Sequence, residues 1–148
     1  MSNYNNMKDP RTLPDLYEER LSGVKELKMY DFSVNSLGQV IVTHADFIGK
    51  NGLIMFYASW CKYSKDPKIR ALWSDLAMIL GESFPIGAVN CTDYDNHNDQ
   101  LAKHANVEGY PTIKLIHKDS TMELYEGPRT KSALMNYICE RAKQCNFG

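Results

Sequence analysis

The sequence has no long apolar run and no excess of charge of either sign. Its 148 residues carry 17 Lys and Arg against 18 Asp and Glu, which gives a formal net charge of −1. A balance this even leaves no electrostatic footprint for nucleic acid. No stretch is long and apolar enough to span a bilayer. We therefore expect neither nucleic acid nor a membrane among the partners.

The two ends of the sequence lack the usual targeting features. The first seven residues do not contain the basic region and apolar run of a secretory signal. The last four residues, CNFG, do not form an endoplasmic-reticulum retention signal. These absences predict a cytoplasmic location.

Cysteine is scarce, and its spacing excludes several kinds of site. The four cysteines are Cys61, Cys91, Cys139 and Cys145, and no two of them have Cys-x-x-Cys spacing. This density is too low for a disulfide scaffold, and the pattern does not match a zinc site. Cys139 and Cys145 would not share a helix face, so we interpret them as incidental, with a frayed tail that lets Cys145 reach a partner as the alternative. We interpret Cys91 as a buried structural thiol, and we expect no metal or other cofactor.

The hydrophobic pattern predicts an extension followed by one domain. Apolar residues between Leu13 and Leu27 recur at helical spacing. They predict a partly helical amino-terminal extension over residues 1–28, before a domain that covers residues 29–148. Strands are predicted at 39–43, 53–57, 84–90, 113–117 and 121–125, and helices at 45–50, 64–80, 98–106 and from 130 onward. This order predicts an α/β fold, in which a mixed sheet has helices on both faces.

Cys61 stands where a buried strand meets the start of a helix. A thiol there is close to unpaired backbone N–H groups and to the positive end of the helix dipole. Both favour the thiolate, which is the nucleophilic form. Lys62 and Lys65 add positive charge, and Trp60 provides an apolar surface beside the sulfur. The alternative is a buried, inert cysteine, but the position at a junction favours a reactive thiol.

Four segments resemble thioredoxins and, in one segment particularly, the domains of protein disulfide isomerases. The segments are FYASWCKYSK at 56–65, AVNCT at 88–92, VEGYPTIKLI at 107–116 and YEGPRT at 125–130. The resemblance covers about residues 38–142, and the segments follow the family's order. It implies a thioredoxin fold and thiol–disulfide exchange as the activity.

The same resemblance implies a set of site residues. Cys61 and Ser64 occupy the positions of the two catalytic residues. Trp60, Tyr110 and Pro111 occupy substrate-binding positions, and the peptide bond before Pro111 is expected to be cis and to face Cys61.

Three positions depart from the family's pattern. Ser64 replaces the resolving cysteine, so that Cys61 cannot close a disulfide within the motif. Met55 stands where the family has a buried carboxylate that assists proton transfer. The helix-kinking proline expected at Ile69 is absent, and Pro67 lies two residues earlier.

These departures predict a monothiol protein that forms mixed disulfides with protein cysteines through Cys61. The expected partners are cysteine-containing client proteins, and glutathione is a further candidate. Two alternatives remain open at this point. One is a redox-inactive thioredoxin-fold module that binds peptides or proteins. The other is a glutaredoxin-like carrier of glutathione or an iron–sulfur cluster, because monothiol glutaredoxins also carry Cys-x-x-Ser.

Overall fold

A computed structural model describes residues 8–145 of the chain. Its strands are β1 (Lys25–Leu27), β2 (Phe32–Val34), β3 (Val40–Val42), β4 (Gly52–Tyr57), β5 (Ile86–Asn90), β6 (Thr112–Ile116) and β7 (Met122–Tyr125). Its α-helices are α1 (Glu19–Ser22), α2 (Lys62–Lys65), α3 (Pro67–Leu80), α4 (Asn98–His104) and α5 (Lys131–Ala142). None of the helices within these residues is long and apolar enough to cross a bilayer.

A mixed sheet of five strands lies at the centre of the fold, in the order β1-β5-β4-β6-β7. Strands β1, β5 and β4 run parallel to one another, and β6 and β7 complete the sheet as an antiparallel hairpin. Strands β2 and β3 form a separate antiparallel pair. Helices α3 and α5 pack on one face of the sheet and α4 on the other. This arrangement confirms the predicted α/β fold.

Strand β4 is the centre of the hydrophobic core. All six of its residues, GLIMFY, are buried, because helices cover both faces of the sheet. Met55 packs on the side of Trp73, and Phe56 packs on the side of Leu101. Burying one such side chain stabilises the fold by about 1.5–3 kcal/mol. The strand therefore provides a rigid base for the loop that follows it.

The predicted helix over residues 64–80 is broken into two helices. Helix α2 ends at Lys65, and α3 begins at Pro67 with the Asp66 side chain accepting a hydrogen bond from the Lys68 N–H (2.9 Å). Proline lacks an N–H and disfavours a helical conformation in the residue before it. The break at Asp66 therefore stands in place of the kink that the family has at residue 69.

The amino-terminal segment differs from the helix predicted between Leu13 and Leu27. Only the four residues of α1 are α-helical, and Gly23 ends this helix with a φ of 76°. Residues 25–27 form the edge strand β1, which pairs with β5. The apolar residues Tyr17 and Val24 join the main core, so packing and strand pairing override the helical spacing. The predicted division of the chain after residue 28 stays a prediction.

One further element differs from its prediction. Residues 45–50, predicted as a short helix, form a series of turns.

Candidate active site around Cys61

Cys61 lies at the start of α2, four residues beyond the end of β4, and it caps that helix with an extended backbone (φ −79°, ψ 123°). It is 8% exposed. Burial alone would raise the pKa of the Cys61 thiol. Hydrogen bonds from the N–H groups of Ser64 and Tyr63, the Ser64 hydroxyl and the charge of Arg129 outweigh that effect and lower the pKa. The site therefore favours the thiolate.

Ser64 lies inside the first turn after Cys61 and is fully buried. Its hydroxyl contributes to lowering the pKa of Cys61 and also lies 3.4 Å from the Ala58 N–H. A hydroxyl in this position can stabilise a thiolate by hydrogen bonding. It cannot resolve a mixed disulfide, because that step requires a thiolate nucleophile.

The segment containing Pro111 faces the thiol. The Tyr110–Pro111 peptide bond is cis, as predicted, and the carbonyl oxygen of Tyr110 lies 3.8 Å from Cys61 Sγ. Trp60 is 61% exposed, and its ring meets the Tyr110 ring edge to face at a centroid distance of 6.1 Å. The structure thus brings together all five residues expected at the site: Trp60, Cys61, Ser64, Tyr110 and Pro111.

Arg129 also lies at the site, although the sequence alone left its role open between a site residue and a surface ion pair. Its guanidinium donates a hydrogen bond to the Pro111 carbonyl (3.1 Å), and its charge lowers the pKa of Cys61. It makes no ion pair with the residues that the structure describes. The signal in the sequence was its place in the YEGPRT segment at 125–130, which resembles the domains of protein disulfide isomerases. Arg129 thus ties the last strand-to-helix turn to the Pro111 segment.

Met55 is fully buried, and its sulfur lies 3.9 Å from the Tyr17 hydroxyl oxygen. A buried carboxyl is nevertheless present on the same face of the sheet. Glu26 on β1 pairs in register with Ala88, which in turn pairs with Met55. The Glu26 carboxyl accepts a hydrogen bond from the Tyr57 hydroxyl. No pattern in the sequence pointed to this group, because Glu26 meets Tyr57 through the pairing of β1 with β5, which are distant in the chain.

Cys91 is free and buried, which agrees with its interpretation as a structural thiol. Burial raises its pKa to about 12, against hydrogen bonds from the Tyr110 hydroxyl and the Tyr57 backbone that lower it. A thiol with so high a pKa is almost entirely protonated near neutral pH and is a poor nucleophile.

The interpretation of Cys139 and Cys145 as incidental is wrong, because the two form a disulfide. Helix α5 ends at Ala142, and Lys143 takes a left-handed conformation (φ 57°) that turns the chain back on itself. The two Cα atoms consequently lie 4.4 Å apart. Helix faces do not constrain this pair, since Cys145 lies beyond the end of the helix.

The thiol lies between the end of a central strand and the start of a helix, and it faces the carbonyl of the residue before a cis-proline. Together with the five-stranded mixed sheet, these features define a thioredoxin-fold protein with a thiol site. The family model described as "Thioredoxin" matches residues 39–140. The chain belongs to the thioredoxin family. This membership supports a function of the thiol–disulfide oxidoreductase kind.

Several of the relatives that the chain matches are protein disulfide isomerases. It is 33% identical to human protein disulfide-isomerase TMX3 over 88 residues. This match covers 57% of this chain and 18% of TMX3. It is also 33% identical to mouse protein disulfide-isomerase A4 over 102 residues. That match covers 69% of this chain and 15% of the A4 protein. The chain thus spans less than a fifth of the length of these relatives.

Two solved structures share the fold. One is human ERp44 (form I), with a TM-score of 0.58 and 22% identity, covering 80% of this chain and 29% of that one. The other is the J-Trx1 fragment of ERdj5, with a TM-score of 0.56 and 24% identity, covering 65% of this chain and 45% of that one.

The predicted cytoplasmic location is wrong, because relatives such as TMX3 and A4 are proteins of the endoplasmic reticulum. The prediction depended on the two ends of the sequence.

Proposed function

We propose that this chain is a thiol–disulfide exchange module with a single active-site thiol, which captures cysteines of client proteins as mixed disulfides. One observation carries the proposal. Hydrogen bonds at the start of α2 lower the pKa of Cys61, while the buried Ser64 occupies the resolving position. The module can therefore start an exchange and cannot finish it with its own motif.

The proposed reaction has two steps. In the first, the Cys61 thiolate attacks one sulfur of a client disulfide. A bond forms between Cys61 and that sulfur, and the other client sulfur leaves as a thiolate. In the second step, glutathione or another client thiolate attacks the mixed disulfide and regenerates the Cys61 thiolate. The sum is an exchange of partners, with no net oxidation or reduction of the module.

The surface around the thiol supports client binding. Trp60 and Tyr63 are more than half exposed, and the Tyr110 carbonyl before Pro111 lies 3.8 Å from the sulfur. Exposed aromatic rings provide contact area at a low cost in conformational entropy. We propose that an extended client segment binds along the Trp60 and Tyr110 rings, with its cysteine over Cys61.

The disulfide between Cys139 and Cys145 supports an oxidising compartment as the place of action. Disulfides persist in such compartments and are rare where thiols are kept reduced. The two features fit together, because client disulfides occur in the same compartments.

Trapping by mass spectrometry tests the capture step. The protein is incubated with a symmetric peptide in which one interchain disulfide joins two identical chains, and intact mass is measured after acid quenching. Wild type and Cys91→Ala should each gain one half of the peptide, whereas Cys61→Ser should gain none. An adduct that persists in Cys61→Ser would show that the site is elsewhere.

Restoring the second thiol tests the inferred block in release. Ser64→Cys should accelerate reduction of the insulin disulfides by dithiothreitol at least roughly tenfold over wild type, because intramolecular attack has a high effective concentration. Cys91→Ala serves as the control and should behave like wild type.

A redox-inactive binding module is the second candidate, and the low exposure of Cys61 beside an exposed Trp60 favours it. If the Ser64→Cys variant forms a disulfide between Cys61 and the introduced thiol yet reduces no insulin, the surface does not admit protein disulfides and this candidate is the better one.

A further inference from the structure

The amino-terminal residues 9–17, which we call the strap, form neither α-helix nor strand. They cross the ends of β4 and β5, and other parts of the fold satisfy their backbone groups. The Leu13 N–H donates to the Thr92 carbonyl (3.0 Å), and the Leu16 N–H donates to the Tyr57 hydroxyl (2.8 Å). A segment with no regular structure of its own keeps a fixed course only through such bonds.

One of these bonds reaches the loop that carries Cys61. The hydroxyl of Ser59, two residues before Cys61, donates to the Pro14 carbonyl of the strap (2.7 Å). The Ser59 N–H donates to the Thr92 hydroxyl (3.2 Å). Ser59 is therefore held from two sides, by the strap and by the loop after β5.

Asn90 links the same three segments, which are the strap, the Cys61 loop and the loop after β5. It is fully buried at the end of β5. Its side-chain amide donates to the Leu13 carbonyl (2.8 Å) and to Asp15 Oδ1 (3.0 Å), both in the strap. Its side-chain oxygen accepts from the Thr92 N–H (2.9 Å) and lies 3.3 Å from the Ser59 hydroxyl. Every polar atom of the Asn90 side chain thus has a partner, as burial requires.

The geometry of Cys61 needs such support because α2 is only one turn long. The helix ends at Lys65, and the break at Asp66 separates it from the well-packed α3. The N–H groups that favour the Cys61 thiolate belong to this turn. The position of α2 is fixed at its amino-terminal end by the loop of Ala58 and Ser59.

We propose that Ser59 and Asn90 are positioning residues that hold the Cys61 loop against the strap. Through these contacts the strap helps to set the reactivity of Cys61. The inference rests on the proposed function, because it concerns how readily Cys61 attacks a disulfide. Neither residue touches the reacting sulfur, and each acts through the placement of the loop.

Alkylation of Cys61 by iodoacetamide, followed across pH 5–9 by intact mass, tests the proposal. Ser59→Ala removes the bond to the strap. Asn90→Asp keeps the size of the side chain and loses its donors. Thr12→Ala loosens the far end of the strap, where the threonine hydroxyl accepts from the N–H groups of Tyr94 (3.0 Å) and Asp95 (3.1 Å).

Each variant should move the profile to higher pH and slow alkylation at pH 7 roughly three- to tenfold, the effect of losing about one hydrogen bond. Ser59→Thr keeps the hydroxyl and should restore the profile. Thr121→Ala loses a comparable bond to Asp119, far from the strap, and should leave the profile unchanged.

An unmoved profile in folded Ser59→Ala and Thr12→Ala would overturn the proposal, as would an equal movement in Thr121→Ala. If Ser59→Ala does not fold by circular dichroism, Thr12→Ala decides alone. The probe reagent is independent of clients, so the two proposals can fail separately. Wild type that traps no client disulfide while these profiles move would refute the proposed function and leave the positioning role intact.

Discussion

Replacing Glu26 with glutamine should make the stability of the protein less dependent on pH. Burial raises the pKa of Glu26 to about 8, and the Asp15 carboxylate adds to the effect, while hydrogen bonds from Tyr57 and Tyr17 and the charge of Lys28 lower it. The Oε1 atom is out of contact with solvent and has no hydrogen-bond partner within residues 8–145. Ionising the carboxyl in this environment therefore costs free energy.

The sign follows from the two pKa values. In the unfolded chain Glu26 ionises near its ordinary value of 4.5, and in the folded protein near about 8. Between these values unfolding releases a proton, so the stability contributed by this group falls as the pH rises, and it levels off above about 8. From pH 6 to pH 8 the free energy of unfolding should fall by about 2 kcal/mol because of Glu26 alone.

Urea denaturation followed by tryptophan fluorescence at pH 6, 7 and 8 measures this difference. Glu26→Gln should remove the fall, and all other titrating groups cancel in the comparison because both proteins contain them. Glu82→Gln, at an exposed glutamate, is the matched control and should keep the pH dependence of wild type. If Glu26→Gln and wild type lose stability equally between pH 6 and pH 8, the buried carboxyl does not control this pH dependence.

Two further predictions concern other parts of the molecule. Arg129→Met removes the hydrogen bond to the Pro111 carbonyl and the charge that lowers the pKa of Cys61. Alkylation of Cys61 at pH 7 should therefore slow by roughly a factor of three. An unchanged rate would show that Arg129 does not act on the thiol. Trp73→Ala removes a fully buried ring whose Nε1 donates to the Gly87 carbonyl (2.8 Å), and it should lower the free energy of unfolding in urea by about 3–5 kcal/mol. A loss below about 1 kcal/mol would contradict the assigned packing of α3 on the sheet.

The elements built from local patterns could be predicted well. The apolar run before Cys61 is β4, and the hairpin of β6 and β7 lies where the alternation of residues 113–125 placed it. Such patterns report which face of a segment is buried, and that information lies within the segment itself. The placement of Cys61 at the start of a helix followed from the same local reasoning.

The segments whose predictions were wrong are those whose structure depends on partners distant in the chain. Residues 13–27 have helical spacing, yet β5 recruits residues 25–27 as an edge strand. Cys145 pairs with Cys139 because Lys143 reverses the chain after α5. In both cases a contact outside the local window decided the conformation, and periodicity cannot reveal such contacts.

The sequence by itself determined the fold class and predicted the residues around the thiol, because strand and helix periodicity and the order of the motifs are properties of neighbouring residues. Only the tertiary structure decided what supports that site. The Ser59 hydroxyl meets the strap 45 residues away along the chain, and the Asn90 amide meets it 77 residues away. Hydrogen bonds between residues so far apart form only when the sheet brings them together, so no local pattern in the chain encodes them.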